Sequence, residues 1–107
     1  MPRAKFQTLT EQMFYVLLCL ESERWGTEIM DLVPAMTQGR VRIGSGTLYH
    51  LLEQFLQAGM ISLTRETGRR RCYLLTPKGR ETLEAEYQRL CALAADYERI
   101  LGKEANP

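Results

Sequence analysis

The stretch that decides the fold reads IGSGTLYHLLEQFLQAGMI and covers residues 43–61. From Leu48 to Leu56 its apolar residues recur at the spacing of one helical face, Ser45 is a suitable N-cap, and Gly59 suits the position after a last helical turn. The pattern therefore predicts a helix that Ser45 caps and Gly59 ends. Glycine-rich turns that open helices often hold phosphate, because free backbone N–H groups and the helix dipole favour an anion there. Such a phosphate can come from a nucleotide, a cofactor or a nucleic-acid backbone.

The sequence around this turn argues against a nucleotide. It lacks the G-x-x-x-x-G-K-[ST] pattern of a P-loop, and the G-x-G-x-x-G pattern would need a glycine where Tyr49 stands. No strand–helix–strand unit is predicted around Gly44 and Gly46. A nucleic-acid backbone is therefore the favoured source of the phosphate.

Two further helices are predicted upstream of this stretch. The first begins near Thr8–Thr10, where Thr8 and Glu11 have capping-box spacing and Thr10 is a competing cap. Apolar residues cover nearly its whole circumference, so we expect its second side to meet another subunit. The second helix spans TEIMDLVPAM, and Pro34 within it predicts a kink or an early end.

Downstream of the stretch, MISLTRE and RRRCYLLT read as two strands joined at Thr67–Gly68, a β-hairpin with arginines beside its tip. Thr76 and Pro77 then open a long helix that runs to about Leu101. The order is that of a winged helix-turn-helix protein, which is α+β but mostly α, with a two-stranded β-wing. We expect residues 1–76 to form a winged helix-turn-helix DNA-binding domain and residues 77–107 a C-terminal dimerisation helix and tail.

Charge is distributed unevenly along the chain. The net charge is only +1, but residues 40–80 hold eight Lys or Arg and two Glu, a balance of +6, while the rest of the chain carries −5. A basic middle between acidic ends is typical of a nucleic-acid-binding surface. The alternative for a run of charge is a solvated face.

Composition narrows the class of protein. The 107 residues, 45% hydrophobic and 25% charged, suit one soluble domain, and neither a membrane-spanning stretch nor a signal peptide is recognisable. Three cysteines without a C-x-x-C pair predict a reducing cytoplasm, no metal site and three small buried side chains, with a redox-sensing thiol as the alternative. One histidine and no nucleophile–base pair predict that the protein is no enzyme and needs no cofactor.

Three motifs carry a family resemblance: GTLYHLL at 46–52, AGMI at 58–61 and GRRRCYLLTPKGRETL at 68–83. In combination they resemble a PadR-type transcriptional regulator over roughly residues 9–101. The single long C-terminal helix is similar to the short branch of that family, whose members form dimers through it. Some members of this branch hold flat aromatic ligands at the dimer interface, which implies a small aromatic effector as a further partner. Phe14 and Tyr97 are the candidates to stack on it, with core packing as the alternative, whereas Trp25 is expected in a loop.

The candidate DNA contacts are small residues at a helix start, groups that reach bases or phosphates, and arginines. They are Arg40, Arg42, Ser45, Gly46, Thr47, Tyr49, His50, Arg69 and Arg70. The free N–H groups at the helix start and the Tyr49 hydroxyl suit phosphates, whereas Thr47 and His50 are best placed for the major groove. Structural alternatives remain: Ser45 as a mere cap, Tyr49 as a border core residue, His50 as a solvated side chain. Arg71 is the wing arginine expected to pair with an acidic side chain.

The third helix departs from the family at Ser45, where members commonly carry a proline that suits a helix start equally well, and at two further positions. Glu53 and Gln54 stand where relatives often carry basic residues, so DNA affinity would rest on Arg40, Arg42 and the wing. Glu53 is expected to be solvated or paired within the chain, although a carboxylate can also read cytosine. The departure favours, as an alternative function, a winged-helix module that binds another protein without specific DNA binding. The three consecutive arginines and the charge segregation favour DNA more strongly.

The final helix carries a heptad-spaced apolar seam, which predicts a homodimer. The seam consists of Leu83, Tyr87, Leu90, Ala94, Tyr97 and Leu101. Phe14 and Leu18 of the first helix are expected to join the interface, and the alternative is that the seam packs against the chain's own core. The sequence thus predicts a cytoplasmic, homodimeric regulator, a sequence-specific repressor that binds an inverted-repeat operator in double-stranded DNA.

Overall fold

A computed structural model describes residues 8–102 of the chain. The outer ends of the two predicted domains, 1–76 and 77–107, and most of the N-terminal stretch considered as a signal peptide lie outside the described residues. The elements in chain order are α1 (Glu11–Cys19), β1 (Arg24–Trp25), α2 (Gly26–Met36), α3 (Ser45–Gln57), β2 (Ile61–Thr67), β3 (Arg70–Leu75) and α4 (Pro77–Ile100). The predicted winged helix-turn-helix class, mostly α with a long C-terminal helix, is confirmed.

The core lies between the first three helices and the sheet. Thr10 caps α1, because its hydroxyl accepts a hydrogen bond from the Met13 N–H at 3.1 Å. From the helix that this cap begins, Leu17 and the following Leu20 are buried in the core. Phe55 of α3 is the largest fully buried side chain. Burial of such side chains stabilises the fold by about 1.5–3 kcal/mol each, so α3 is held firmly from its inner face.

The structure corrects two expectations about helix ends: Ser45 is not the N-cap of α3, and of the two outcomes expected for Pro34, a kink or an early end, the early end does not occur. The N-cap of α3 is Gly44, whose extended backbone (φ −81°, ψ 162°) lets its carbonyl accept from the Leu48 N–H at 2.9 Å, so Ser45 is the first helical residue. Pro34 does not end α2 early, because the helix continues to Met36. A proline removes only one N–H donor, and so close to the helix end that loss leaves most of the hydrogen-bond ladder intact.

The sheet has one strand more than predicted. Its order is β1-β3-β2, all antiparallel, and β1 places Trp25 opposite Cys72 of β3. The hairpin itself is confirmed: Thr67 pairs with Arg70 across a turn in which Gly68 has φ +60°. Because only glycine adopts that conformation at little cost, Gly68 sets the turn and leaves Arg69 at its tip.

The TPKG segment at 76–79 joins the end of α3 to the start of α4. The Thr76 hydroxyl donates to the Gly59 carbonyl at 2.7 Å, and the Lys78 ammonium donates to the Ala58 carbonyl at 2.7 Å. A Cβ on Gly79 would lie 2.0 Å from the Met60 carbonyl oxygen, so only glycine allows this approach. The direction of α4 is therefore tied to the direction of α3.

The cysteines divide into two buried side chains and one exposed side chain. Cys19 and Cys72 are buried, and burial raises the pKa of the Cys19 thiol to about 11. Cys91 is exposed, which contradicts the expectation of three buried cysteines. The reason is that Cys91 lies on the half of α4 that extends past the core.

Candidate nucleic-acid interface

The outer face of α3 is polar and open. Thr47, Tyr49 and His50 are exposed, while Leu48, Leu51 and Leu52 face the core. At the start of the helix, apart from the two chain neighbours and the adjacent backbone of α3 itself, no heavy atom of the described residues lies within 4 Å of the point where a Cβ of Gly46 would stand. The first-turn N–H groups of a helix have no partner within the helix. The start of α3 is thus open on the side of Gly46.

Tyr49 leans from α3 onto the start of α2. A Cβ on Gly26 would lie 3.2 Å from Tyr49 Cε1 and 3.5 Å from Tyr73 Cε1, so the missing side chain of Gly26 makes room for both rings. Tyr49 is nevertheless 43% exposed. Its ring therefore packs at the border of the domain while much of the side chain remains open to solvent.

The wing carries two kinds of arginine. Arg65 and Arg71 form ion pairs, Arg65 with Glu23 at 3.7 Å and Arg71 with Glu66 at 3.2 Å. Hydrogen bonding to Tyr73 and to Glu66 raises the pKa of Arg71. The expected acidic partner of Arg71 is thus confirmed, and it supports a structural role for this side chain.

Arg69 and Arg70 are different. Within residues 8–102, no carboxylate lies within 4.0 Å of either guanidinium group, so both carry their full charge to the surface. The Arg70 guanidinium carbon lies 4.2 Å from the centre of the Trp25 ring, and that of Arg65 lies 5.5 Å from it. These are cation–π distances. The sequence did not reveal this contact, because a two-residue strand has no periodicity and its pairing with β3 is non-local.

A cleft of about 310 Å³ brings the wing and α3 together. It is lined by Trp25, Gly26, Thr27, Tyr49, Gly68, Arg69, Arg70, Arg71 and Tyr73. Three of the candidate DNA contacts, Tyr49, Arg69 and Arg70, therefore share one concave surface. The remaining candidates do not line this cleft.

The arginines before α3 lie apart from the cleft. Arg40 donates to the Tyr15 hydroxyl at 3.1 Å and to the Thr37 carbonyl at 3.4 Å, which holds its side chain along the α2–α3 turn. Arg42 is exposed, and its carbonyl accepts from the Gln12 side chain at 2.8 Å. Neither guanidinium has a carboxylate within 4.0 Å in the described part of the chain.

Comparison with known proteins identifies the family. The sequence profile of the transcriptional regulator PadR-like family matches residues 16–85, more than half of the chain. The chain belongs to the PadR-like family. No curated protein matches this sequence significantly. The resemblance seen in the GTLYHLL, AGMI and TPKG segments is confirmed, and the family is one of DNA-binding transcriptional regulators.

Solved structures share the fold of this PadR-like regulator. A transcriptional regulator from Clostridium thermocellum superposes with a TM-score of 0.70 at 22% identity, over 83% of this chain and 91% of that one. A PadR-like transcription factor from Bacteroides fragilis has a TM-score of 0.69 at 22% identity, over 83% and 88%. RosR from H. salinarum has a TM-score of 0.67 at 20% identity, over 91% and 94%. At these identities the likeness concerns the fold.

The seam on α4 of this PadR-like regulator divides into two parts. Leu83 is half-buried against the core, so the alternative of packing within the chain holds for the first turns of the helix. Beyond them Leu90 is 40% exposed and Tyr97 59% exposed, and Tyr87, Ala94 and Leu101 are exposed as well. A large apolar surface is thus open along the outer half of α4.

A shallow groove connects this surface to α1. Phe14, Leu18, Arg80, Leu83, Glu84 and Tyr87 line it. Leu18 is 39% exposed, whereas Phe14 is half-buried and packs edge-on against Tyr15 with ring centres 5.7 Å apart. The two residues of α1 expected at a dimer interface therefore lie beside the α4 seam.

Glu86 is a buried charge that the sequence did not single out. Its carboxylate accepts from the Arg89 guanidinium, with Nε at 3.0 Å from Oε1, and Arg89 together with the Leu9 N–H lowers the pKa of Glu86. The Glu86–Arg89 pair holds the segment before α1 against α4.

Within residues 8–102, no three His, Cys, Asp or Glu side chains cluster as metal ligands, and no helix is long and apolar enough to span a bilayer.

Proposed function

We propose that this PadR-like regulator is a cytoplasmic homodimer that represses transcription by binding an inverted repeat in double-stranded DNA. The observation that carries the proposal is the cleft that Tyr49 of α3 lines together with Arg69 and Arg70, whose guanidinium groups have no carboxylate within 4.0 Å among the described residues. A helix with open polar positions beside uncompensated positive charge matches the chemistry of a duplex, which presents base edges in a groove between two rows of phosphates.

In this proposal each group of residues has one task. The first-turn N–H groups of Ser45, Gly46 and Thr47, together with the Tyr49 hydroxyl, bind backbone phosphates and fix the register of α3. Thr47 and His50 reach base edges in the major groove. The exposed arginines outside α3, Arg40, Arg42, Arg69 and Arg70, supply sequence-independent affinity. Glu53 is held within the chain, since Gln57 donates to its carboxylate at 3.3 Å.

The dimer would form through the α4 seam and the neighbouring surface of α1. Exposed apolar patches of this kind mark interaction surfaces, and a two-fold interface buries each residue twice. The proposed interface residues are Phe14, Leu18, Leu83, Tyr87, Leu90, Ala94, Tyr97 and Leu101. Because the TPKG segment ties α3 to α4, such a dimer would hold two α3 helices at a fixed separation, as an inverted repeat requires.

In this proposal residues 1–76 bind DNA and residues 77–107 supply most of the dimer interface, to which α1 adds Phe14 and Leu18. A flat aromatic effector held between aromatic side chains at the interface, with Phe14 and Tyr97 as its contacts, remains part of the proposal. Titration of the dimer with a planar aromatic dye, followed by fluorescence, tests it.

The dimer is tested by Leu90→Asp with Ala92→Asp as the matched control. Both place a carboxylate at an exposed position of α4, but only position 90 lies on the seam. Two carboxylates buried at one interface carry a high desolvation cost. We expect sedimentation to show a monomer for Leu90→Asp and a dimer for Ala92→Asp, with operator affinity lost only in the former. If Leu90→Asp remains a dimer with parental affinity, the seam is not the interface.

The competing function is a winged-helix module that binds protein. It predicts no salt-dependent affinity for random duplex DNA, whereas a DNA-binding regulator shows affinity that falls as salt rises. Fluorescence anisotropy with a labelled random duplex at several salt concentrations separates the two.

A further inference from the structure

We propose that Trp25 is a positioning residue, which holds the Arg70 guanidinium over the cleft so that it receives one phosphate of the DNA backbone. The inference rests on the proposed function and assigns a specific task to a residue outside both α3 and the wing hairpin. It starts from the 4.2 Å separation between the Arg70 guanidinium carbon and the Trp25 ring centre.

Trp25 is fixed in place by its own backbone. As part of β1 it pairs with Cys72 of β3, and its N–H donates to the Glu28 carboxylate at 2.7 Å. Its side chain is half-buried, and it also lines the cleft. The backbone of Trp25 is thus held in the sheet and its ring is half-buried, whereas Arg70 is an exposed side chain that would otherwise sample many rotamers.

The kind of group that orders Arg70 decides whether its charge remains available to a phosphate. A carboxylate also orders an arginine, as Glu66 orders Arg71, but it cancels the charge that a phosphate needs. An aromatic face attracts the guanidinium through its quadrupole and leaves the net charge in place. The charge of Arg70 is thus left without a compensating carboxylate, whereas Glu23 and Glu66 offset the charges of Arg65 and Arg71.

The surrounding charges support this assignment. The Arg65 guanidinium carbon lies 5.5 Å from the centre of the same ring, but the Glu23 carboxylate lies 3.7 Å from Nε of Arg65 and offsets its charge. The same carboxylate accepts a hydrogen bond from the Thr64 hydroxyl at 2.6 Å. The Glu28 carboxylate is engaged by the Trp25 N–H. The cleft is lined on its wing side by Arg69 and Arg70, so its potential favours an anion.

The size of the effect follows from the strength of such contacts. An exposed cation–π contact is equivalent to a factor of about 2–5 in an equilibrium constant, and a dimer has two of them. Replacing Trp25 by leucine should then lower the affinity for DNA by about 4–25-fold. The salt dependence should hardly change, because the number of cations that contact phosphates is the same.

The first measurement needs no DNA. Protons above an aromatic face are shifted upfield, so the δ-methylene protons of Arg70 in the free protein should resonate upfield of their usual position in NMR spectra. Trp25→Leu should remove that shift and Trp25→Phe should retain part of it. Normal Arg70 resonances in the parent would overturn the proposal, whatever the protein binds.

The second measurement is a double-mutant cycle on duplex affinity with Trp25→Leu, Arg70→Ala and both together. A positioning role predicts that Trp25→Leu costs affinity only while Arg70 is present, and that Arg70→Ala alone flattens the salt dependence. Trp25→Phe should recover part of the loss. If Trp25→Leu lowers affinity equally in both backgrounds, or not at all, Trp25 does not act through Arg70. An upfield-shifted Arg70 in a protein that binds no duplex would overturn the proposed function and the phosphate assignment, but not the stacking itself.

Discussion

The wing offers a quantitative test of DNA binding, because it holds two free arginines beside two neutralised ones. Arg69→Ala with Arg70→Ala removes the free pair, which has no carboxylate within 4.0 Å in the described structure. Arg65→Ala with Arg71→Ala is the matched control, since it removes the same formal charge from side chains that Glu23 and Glu66 already neutralise. Only the first variant should lose phosphate contacts.

The expected magnitude follows from counterion release. Each phosphate contact contributes about 0.9 to the slope of log K against log salt, so up to four contacts in a dimer contribute about 3.6. We expect the slope of the Arg69/Arg70 variant to be flatter by roughly two to four, and that of the control by far less. Between 50 and 200 mM salt, the parent should then lose on the order of 100-fold more affinity than the variant.

The assay is fluorescence anisotropy of a labelled duplex at four or more salt concentrations, with a specific and a random sequence. The preference for the specific sequence should survive in the Arg69/Arg70 variant, because phosphate contacts carry no sequence information directly. A variant slope equal to that of the parent, or an equal change in the Arg65/Arg71 control, would refute the assignment of Arg69 and Arg70 to phosphates.

Three further outcomes are expected. Thr47→Ala and His50→Ala should each reduce the discrimination between bases at particular operator positions by about 1–3 kcal/mol, whereas Tyr49→Phe should weaken the affinity for all sequences alike. Selection from randomised operators measures both effects. If both alanine variants select the parental sequences unchanged, α3 does not read the bases. Gly26→Ala should displace Tyr49, because Cε1 of Tyr49 would lie 3.2 Å from the new Cβ. We expect the affinity for DNA to fall while the free energy of unfolding changes by less than about 1 kcal/mol. A parental affinity would show that the position of Tyr49 is unimportant for DNA binding. The pKa of Glu86 is lowered in the folded state, so its contribution to the free energy of unfolding is present above the unfolded pKa and is lost as the pH falls through the folded pKa. Glu86→Gln should therefore flatten the acid side of the profile of unfolding free energy against pH, measured with denaturant. An unchanged profile would contradict this.

Local patterns in the sequence are sufficient to predict most of the fold. The helical spacing from Leu48 to Leu56, the threonine caps and the Gly68 turn each act within a few residues, and they predict α3, α1, α4 and the hairpin correctly. The residues of the cleft, by contrast, come from β1, α2, α3 and the wing, and only their chemistry could be read from the sequence.

The features that the sequence missed depend on contacts between distant segments. The strand β1 exists because Trp25 pairs with Cys72, and the cation–π contact exists because β1 lies beside the wing. Glu86 looks like a surface residue, and only the packing of α4 against the Leu9 segment shows that it is buried. The cap of α3 moved by one residue because Gly44 adopts the extended backbone that Ser45 was expected to adopt.

The measurement that tests the proposed function most directly is selection of bound sequences from a random pool of duplex DNA by the 107-residue chain. A homodimer that reads DNA through two α3 helices should enrich an inverted repeat with half-site centres about one helical turn apart. An unenriched pool would contradict sequence-specific binding, and enrichment of a single, unrepeated half-site would contradict the dimer.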